Sequence, residues 1–204
     1  GPRLTRMRLP PVSSLVVASA LTLLGCGGST IEGKREPESL RVVVAVPKHG
    51  PNAGLGRDIE RAARMQFEDR TLKGPLKDLE LFVVDESSSK QPFNDPEVVA
   101  GRTQEQIDSA PVVGWVGGVD SDALAVELPR LNEAGIPAVS PSSTATPFNR
   151  RDAAFPGAPI KYYPAFAENG LSFARTAPTD LSVAARCLRE FRGEGIKKVF
   201  TVDA

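Results

Sequence analysis

The chain has 204 residues, enough for one or two domains, and a composition typical of a globular protein. Lys and Arg together number 25, as do Asp and Glu, so no basic excess favours a nucleic acid as partner. A hydrophobic share of 41% and a charged share of 25% exclude wholesale disorder, collagen and a multispanning membrane protein. Two cysteines cannot build a disulfide framework, and a single histidine disfavours a His-rich metal site.

The first 39 residues carry signals of export and anchoring. Three arginines precede an apolar run over residues 12–24, which is too short to span a bilayer comfortably. The run ends in Leu23-Leu24-Gly25-Cys26, which resembles the lipobox of bacterial lipoproteins. The resemblance implies that residues 1–25 are a lipoprotein signal peptide and that an acylated Cys26 tethers the chain to the extracytoplasmic face of the cell membrane. The alternative is a plain signal peptide followed by an unmodified cysteine. Residues 26–39 are typical of a flexible tether.

From residue 40 onward, short apolar runs alternate with amphipathic segments. The runs predict strands at Leu40–Val46, Leu79–Val84, Val112–Val116, Ile136–Val139, Leu171–Arg175 and Lys197–Val202. The amphipathic segments predict helices at Arg57–Arg70, Pro96–Ala110, Asp122–Ala134 and Leu181–Arg192. Apolar strands separated by such helices indicate a parallel sheet covered on both faces. We therefore expect a doubly wound α/β fold, with Cys187 buried on the apolar stripe of the last helix.

In such a sheet, ligands bind at the carboxyl ends of the strands. The loop after the third predicted strand ends in Ser121, a good N-cap for the helix that follows. The backbone N–H groups behind this serine would face an anion. The loop after the fourth strand, over residues 140–147, is rich in neutral hydroxyls that can hold a polar ligand. Taken singly, each of these loops is more typical of an ordinary structural turn.

Taken in chain order, four segments resemble one family. The segments are Gly50–Gly56 (GPNAGLG), Val113–Gly117 (VGWVG), Asn132–Thr144 (NEAGIPAVSPSST) and Phe173–Asp180 (FARTAPTD). They resemble the leucine-binding protein family, the extracytoplasmic solute-binding proteins of ABC importers for branched-chain amino acids, which have the type I periplasmic-binding fold. The resemblance implies two lobes that close on a ligand. Residues 40–178 would form the N-terminal ligand-binding lobe, and residues 179–204 would begin an incomplete second lobe.

The resemblance also implies a site for an amino acid or a related small polar solute. Ser121 corresponds to a hydroxyl donor for the ligand's carboxylate, and the Ser142 carbonyl and Thr144 hydroxyl correspond to groups that receive its ammonium end. Leu55 stands where the family often places an aromatic residue at the cleft. The implied partners are a small-molecule ligand, ABC permease subunits and the membrane, through the lipid anchor. No cofactor, no metal and no enzymatic activity are expected.

The sequence departs from that family in length. It ends on the first predicted strand of the second lobe, so we expect either a fragment of a longer protein or a truncated gene product. A ligand-sensing domain of a signalling receptor uses the same fold and stays an alternative. A nucleotide-binding α/β enzyme is disfavoured, since no Gly-x-Gly-x-x-Gly follows the first strand and no Gly-Lys-Ser/Thr ends a loop. His49 is also the only imidazole available for catalysis.

Overall fold

The structure, a computed structural model, describes residues 39–69, 79–88 and 95–200. The expected signal peptide, the acylated Cys26 and all but the last residue of the tether lie outside the described residues. Within the described ranges, no helix is both long enough and apolar enough to cross a membrane.

The described strands form one all-parallel sheet of five. They are β1 (Leu40–Val46), β2 (Leu79–Asp85), β3 (Val112–Val116), β4 (Ala138–Ser140) and β5 (Phe173–Arg175), in the order β2-β1-β3-β4-β5. From β1 the chain moves outward to β2 on one side and then to β3, β4 and β5 on the other. The carboxyl ends of β1 and β3 therefore flank a crevice, the usual place for a ligand in this topology.

The described part of the chain contains five α-helices. They are α1 (Ala53–Asp69), α2 (Pro96–Ser109), α3 (Ser121–Glu133), α4 (Phe166–Asn169) and α5 (Asp180–Gly193). Two short 3-10 helices, Thr146–Phe148 and Ile160–Tyr162, lie in the long connection between β4 and β5. Asp95 caps α2 by accepting a hydrogen bond from the N–H of Glu97 at 3.0 Å. Pro96 follows at the first helical position, where its missing N–H leaves no intrahelical bond unmade.

Helices cover both faces of the sheet, which confirms the doubly wound α/β fold. On one face, α2, α3 and the β4–β5 connection enclose the larger core. Its buried members are Val43, Ala45, Val84, Trp115, Leu124, Leu128, Leu131, Ile136, Ala138, Phe148, Tyr163 and Phe173. On the other face, Ile59 and Ala63 of α1 pack against Val44 and Val46 of β1. The burial of Val43–Val46 between these two layers explains why the second half of β1 is wholly apolar.

Two local predictions are wrong. Residues 197–200, the described part of the last predicted strand, form no strand. Cys187 is exposed, because α5 buries none of its residues against the described chain. Of the other predicted elements, the strands Leu40–Val46 and Val112–Val116 have the predicted bounds, and the rest are present with shifted ends. The largest shift is at α1, which begins at Ala53 rather than at Arg57.

Candidate functional site

Three loops meet at the carboxyl edge of the sheet, beside the crevice between β1 and β3. They span residues 47–52, 117–120 and 141–145. A Cβ on Gly117 would lie 2.6 Å from the Trp115 indole nitrogen, and Gly118 has a φ of +62° close against Leu124. Both positions in the middle loop therefore require glycine, one for space and one for backbone conformation.

Ser140, at the end of β4, ties the middle loop to the serine-rich turn. Its buried hydroxyl donates to the carbonyl oxygen of Gly118 at 2.8 Å and accepts from the backbone N–H of Ser143 at 2.9 Å. A buried hydroxyl left without a partner costs about 1–3 kcal/mol, so these two bonds favour one conformation of the turn. The serine-rich turn, residues 140–145, is thereby held against the glycine pair.

Ser121 occupies the first position of α3 rather than its N-cap. Asp120 is the N-cap, with an extended backbone and no side-chain capping bond, so the sequence prediction is wrong by one residue. The Ser121 hydroxyl lies 3.1 Å from the hydroxyl of Ser143 and accepts from the N–H of Ala145 at 3.3 Å. Ser121 thus connects the start of α3 to the serine-rich turn.

Ser142 and Thr144 lie in the same turn, and both are half-buried. The Ser142 hydroxyl donates to the carbonyl of Val119 at 2.7 Å, and among the described residues no backbone N–H donates to the Ser142 carbonyl. The carbonyl of Thr144 accepts from the N–H of Asp180 at 2.9 Å. Within the described chain, the Thr144 hydroxyl makes no hydrogen bond. Three of the four residues predicted to bind ligand, Ser121, Ser142 and Thr144, are therefore brought together.

Leu55, the fourth predicted residue, lies in the first turn of α1 with 45% of its surface exposed. It takes no part in the hydrogen-bonded turn, although α1 begins near the same edge of the sheet. The link from this loop to α3 is made instead by Asn52. Its side-chain amide donates to both carboxylate oxygens of Asp120, at 2.8 and 3.0 Å. Asn52 therefore bridges the crevice between the β1 loop and the start of α3.

Arg175, at the end of β5, supports the serine-rich turn from the far side. It donates to the carbonyl of Ser143 at 3.1 Å and to the side-chain oxygen of Asn149 at 3.2 Å. Its guanidinium also lies over the rings of Phe148 and Phe173. Burial lowers the pKa of Arg175. Arg175 lies in the segment Phe173–Asp180 that carries the family resemblance, but no role in the site was predicted for it.

A second polar cluster joins the loops after β1 and β2, and it does not have the geometry of a catalytic triad. In a triad, the imidazole lies between the hydroxyl and the carboxylate. Here the Ser87 hydroxyl donates directly to Asp85, while His49 lies 3.4 Å from the other Asp85 oxygen. Burial by itself raises the pKa of Asp85, but hydrogen bonds from Ser87 and Lys48 outweigh burial and lower it. The arrangement fastens two loops together and positions no nucleophile.

A cavity of about 340 Å³ adjoins the serine-rich turn. Residues of the turn and of the start of α5 line it, among them Ala145, Thr146, Asp180 and Leu181. Its volume lies in the range of small-molecule sites. A larger cavity of about 660 Å³ runs along residues 151–160, where no serine or threonine lines it. In the described ranges, no three His, Cys, Asp or Glu side chains are grouped so as to hold a metal ion.

Among protein-family models and curated protein sequences, none matches the chain. Solved structures do match. A solute-binding protein of an ABC transporter from Rhodopseudomonas palustris HaA2, in complex with p-hydroxybenzoic acid, has a TM-score of 0.58 at 19% identity, covering 76% of this chain and 36% of that one. The leucine-binding protein LivK of Thermotoga maritima has a TM-score of 0.56 at 20% identity, covering 76% of this chain and 38% of that one.

A third match covers slightly less of this chain. The branched-chain amino acid transporter substrate-binding protein LivJ of Streptococcus pneumoniae, in complex with isoleucine, has a TM-score of 0.51 at 18% identity, covering 70% of this chain and 35% of that one. The described chain thus has the type I periplasmic-binding fold of ABC-transporter solute-binding proteins, over part of such a protein. The chain spans 35–38% of the length of these three structures. At these identities, the likeness establishes the fold alone.

Proposed function

We propose that the chain is part of an extracytoplasmic solute-binding protein that delivers an amino acid, or a related small polar solute, to an ABC importer. The observation that carries the proposal is the serine-rich turn, whose hydroxyls meet the start of α3 beside the β1–β3 crevice. The fold shared with ABC-transporter solute-binding proteins supports the same role. The activity proposed is binding and release, without chemical conversion of the solute, so the protein is not an enzyme.

In this proposal, neutral groups hold the two polar ends of the ligand. Ser121 donates its hydroxyl to the ligand's carboxylate, with help from the backbone N–H groups in the first turn of α3. The Ser142 carbonyl and the Thr144 hydroxyl accept hydrogen bonds from the ammonium group. Such groups suit a zwitterion, because no buried charge is left unpaired when the site is empty. Ser121 turns its hydroxyl hydrogen from Ser143 to the ligand and continues to accept the N–H of Ala145.

The proposed ligand class depends on the carboxylate to which Ser121 would donate. The Streptococcus protein is in complex with isoleucine and the Rhodopseudomonas protein with p-hydroxybenzoic acid, and both molecules carry a carboxyl group. We therefore propose a small carboxylate, an amino acid first, with Leu55 beside its apolar part. Residues 40–178 form the ligand-binding lobe in this proposal. Residue 179 begins a second lobe, which the exposed apolar side chains of α5 support.

Calorimetric titration of the mature protein at full length tests the site. The probes are the twenty amino acids, followed by p-hydroxybenzoate. We expect Ser121→Ala and Thr144→Ala each to weaken binding about ten- to hundredfold, because a hydrogen bond to a charged group contributes about 1.5–3 kcal/mol. Thr144→Ser keeps the hydroxyl and should retain most of the affinity.

The matched control is Ser109→Ala, at the end of α2. Among the described residues, its hydroxyl bonds only to the Gln106 carbonyl of its own helix, and it precedes β3 at the opposite edge of the sheet. The control should leave the affinity unchanged. A ligand that binds equally well to wild type and to both alanine variants of the site would place the binding site elsewhere.

The proposal includes a lipid anchor on Cys26 and a permease partner in the membrane. Its basis is the apolar run that ends in Leu-Leu-Gly-Cys. Cys26→Ser removes the thiol that would be acylated. We expect fractionated cells to show the wild-type protein with the membranes and the variant in the soluble fraction. An unchanged membrane fraction in the variant would refute the anchor and leave the proposed binding site untouched.

A further inference from the structure

Two glutamates are buried side by side beneath the candidate site. Glu86 follows β2 and is 1% exposed, and Glu127 lies on the inner face of α3 and is 0% exposed. None of their four carboxylate oxygens completes a hydrogen bond with another described group. The indole nitrogen of Trp115, which is also buried, is likewise without a bonded partner in the described chain. Three adjacent polar side chains thus share one water-excluded space.

Two ionised carboxylates cannot occupy such a space without compensation. Removing a charge from water costs several kcal/mol even after relaxation, unless a partner neutralises it. Within the described ranges, no lysine or arginine forms an ion pair with Glu86 or Glu127. The groups that face the pair are the Trp115 indole, the backbone of Val119 and the carboxylate of Asp120. None of these groups supplies a positive charge.

We propose that Glu86 and Glu127 share a proton at neutral pH, and that this protonated pair clamps the loop after β3 to the loop after β2 and to α3. A proton is the neutraliser that the space favours, because no third carboxylate, histidine or cysteine completes a metal site among the described residues. Protonation also provides the missing donor, since a carboxylic acid offers an O–H to the carboxylate beside it. The inference does not depend on the proposed function.

The pair lies directly behind the ligand-site loop. The Glu86 carboxyl group approaches the backbone N–H of Val119, and the carbonyl of Val119 accepts the hydroxyl of Ser142. Glu127 approaches the Trp115 indole. Gly117 packs against the same indole so closely that a side chain at position 117 would clash with it. A change in the charge of the pair therefore acts on the backbone that holds the serine-rich turn.

The electrostatic environment also favours a protonated pair. Burial, and then the neighbouring carboxyl groups of Glu127 and Asp120, raise the pKa of Glu86 well above its usual value. Burial raises the pKa of Glu127 from 4.5 to about 8, although Glu86 and Trp115 oppose the shift. A raised pKa means that the folded chain retains protons that the unfolded chain has lost. The contribution of these retained protons to the free energy of unfolding is complete below about pH 4.5. It is lost as the pH rises toward about 8.

The experiment is urea unfolding of the full chain at several pH values between about 5 and 9. Each retained proton lowers the folding equilibrium constant by about tenfold per pH unit within the window. We expect the wild type to lose stability across this range. The double variant Glu86→Gln/Glu127→Gln carries no titratable group there and should show a flat profile. Glu133→Gln, an exposed acid on the same helix, is the matched control and should keep the wild-type slope.

A second measurement on the wild type alone keeps the proposal falsifiable if the double variant does not fold. Difference infrared spectroscopy should detect the carbonyl band of a protonated carboxyl group at neutral pH, and Glu127→Gln should change that band. A flat wild-type stability profile, or no such band, would overturn the proposal. So would a rise in wild-type stability on adding calcium that a chelator reverses, because the pair would then hold a cation instead of a proton.

Discussion

Helices α3 and α5 are nearly equal in length, at 13 and 14 residues, and differ completely in burial. α3 buries six residues between the sheet and α2: Ala123, Leu124, Glu127, Leu128, Leu131 and Asn132. Within the described ranges α5 buries none, and its Leu181 and Leu188 are 57% and 52% exposed. Both sequences show an apolar stripe at helical spacing. The stripe therefore predicts a helix in each case, but it does not tell which surface covers that helix.

The two helices also differ in how their sequences favour helix formation. α5 begins with an N-cap bond, in which the Thr179 hydroxyl accepts from the N–H of Ser182. α3 begins at Asp120 without a side-chain cap and contains Pro129 in its interior, where proline removes a hydrogen bond. Local signals thus explain α5, whereas packing against the sheet has to compensate for weak local signals in α3. Substitutions in the two helices should separate these causes.

The largest expected difference concerns matched leucines. Leu128→Ala should lower the free energy of unfolding by about 2–5 kcal/mol, because it opens a cavity in a fully buried layer. Leu188→Ala removes the same atoms from an exposed face and should change that free energy by less than about 0.5 kcal/mol. Urea unfolding followed by far-UV circular dichroism measures both. Equal effects would mean that α5 is packed as tightly as α3.

A smaller effect is expected where α3 holds the β4–β5 connection by polar bonds. The buried Asn132 side chain donates to the Gly170 carbonyl and to the Ser172 hydroxyl, and it accepts from the N–H of Ala165. Asn132→Ala leaves these groups without partners and should cost about 3 kcal/mol in the free energy of unfolding. Gln104→Ala, which removes an exposed amide from α2, is the control and should be neutral within about 0.5 kcal/mol. A neutral Asn132→Ala would show that water replaces all three bonds.

Removing a helix cap should change the free energy of unfolding by about 1 kcal/mol only where the helix packs against the core. Asp95→Ala removes the cap of α2, which packs against α3, and should lower the global free energy of unfolding by about 1 kcal/mol. Thr179→Ala should leave the global value unchanged and speed amide hydrogen exchange within α5 only. Hydrogen exchange read by mass spectrometry distinguishes the two outcomes. A global loss from Thr179→Ala would show that α5 unfolds together with the sheet.

The sheet could be predicted from sequence because both of its faces are buried. β1 is apolar from Val42 to Val46 and β3 contains no polar side chain except the indole of Trp115, and such runs have few alternative structures. The start of α3 was harder to predict, since aspartate and serine both cap helices well and stand side by side at Asp120 and Ser121. Cys187 was predicted wrongly because an apolar stripe does not reveal whether a partner surface is present.

The candidate site was predicted in part for a similar reason. The run of hydroxyls in the serine-rich turn is visible in the sequence, but its partners come from distant positions. Ser143 meets Ser121 across 22 residues, and Arg175 reaches Ser143 across 32 residues. Glu127 did leave a local signal, because it occupies the buried stripe between Leu124 and Leu131. A charged residue on such an apolar stripe predicts a buried polar group.

The smallest expected effect concerns an ion pair on the surface of α5. Arg186 and Glu190 are 2.6 Å apart at i and i+4, and their side chains are 69% and 55% exposed. Water and salt screen such a pair, and fixing two long side chains costs entropy, so the net contribution is about 0.3–0.5 kcal/mol. Glu190→Gln should therefore lower the helix content of α5 slightly at low salt and not at all at high salt. The global free energy of unfolding should not change, because α5 has no buried residue within the described chain. Circular dichroism and urea unfolding at two salt concentrations test both statements. A change in global stability that persists at high salt would mean that the pair contacts the rest of the fold, and α5 would then resemble α3 more closely than its exposure indicates.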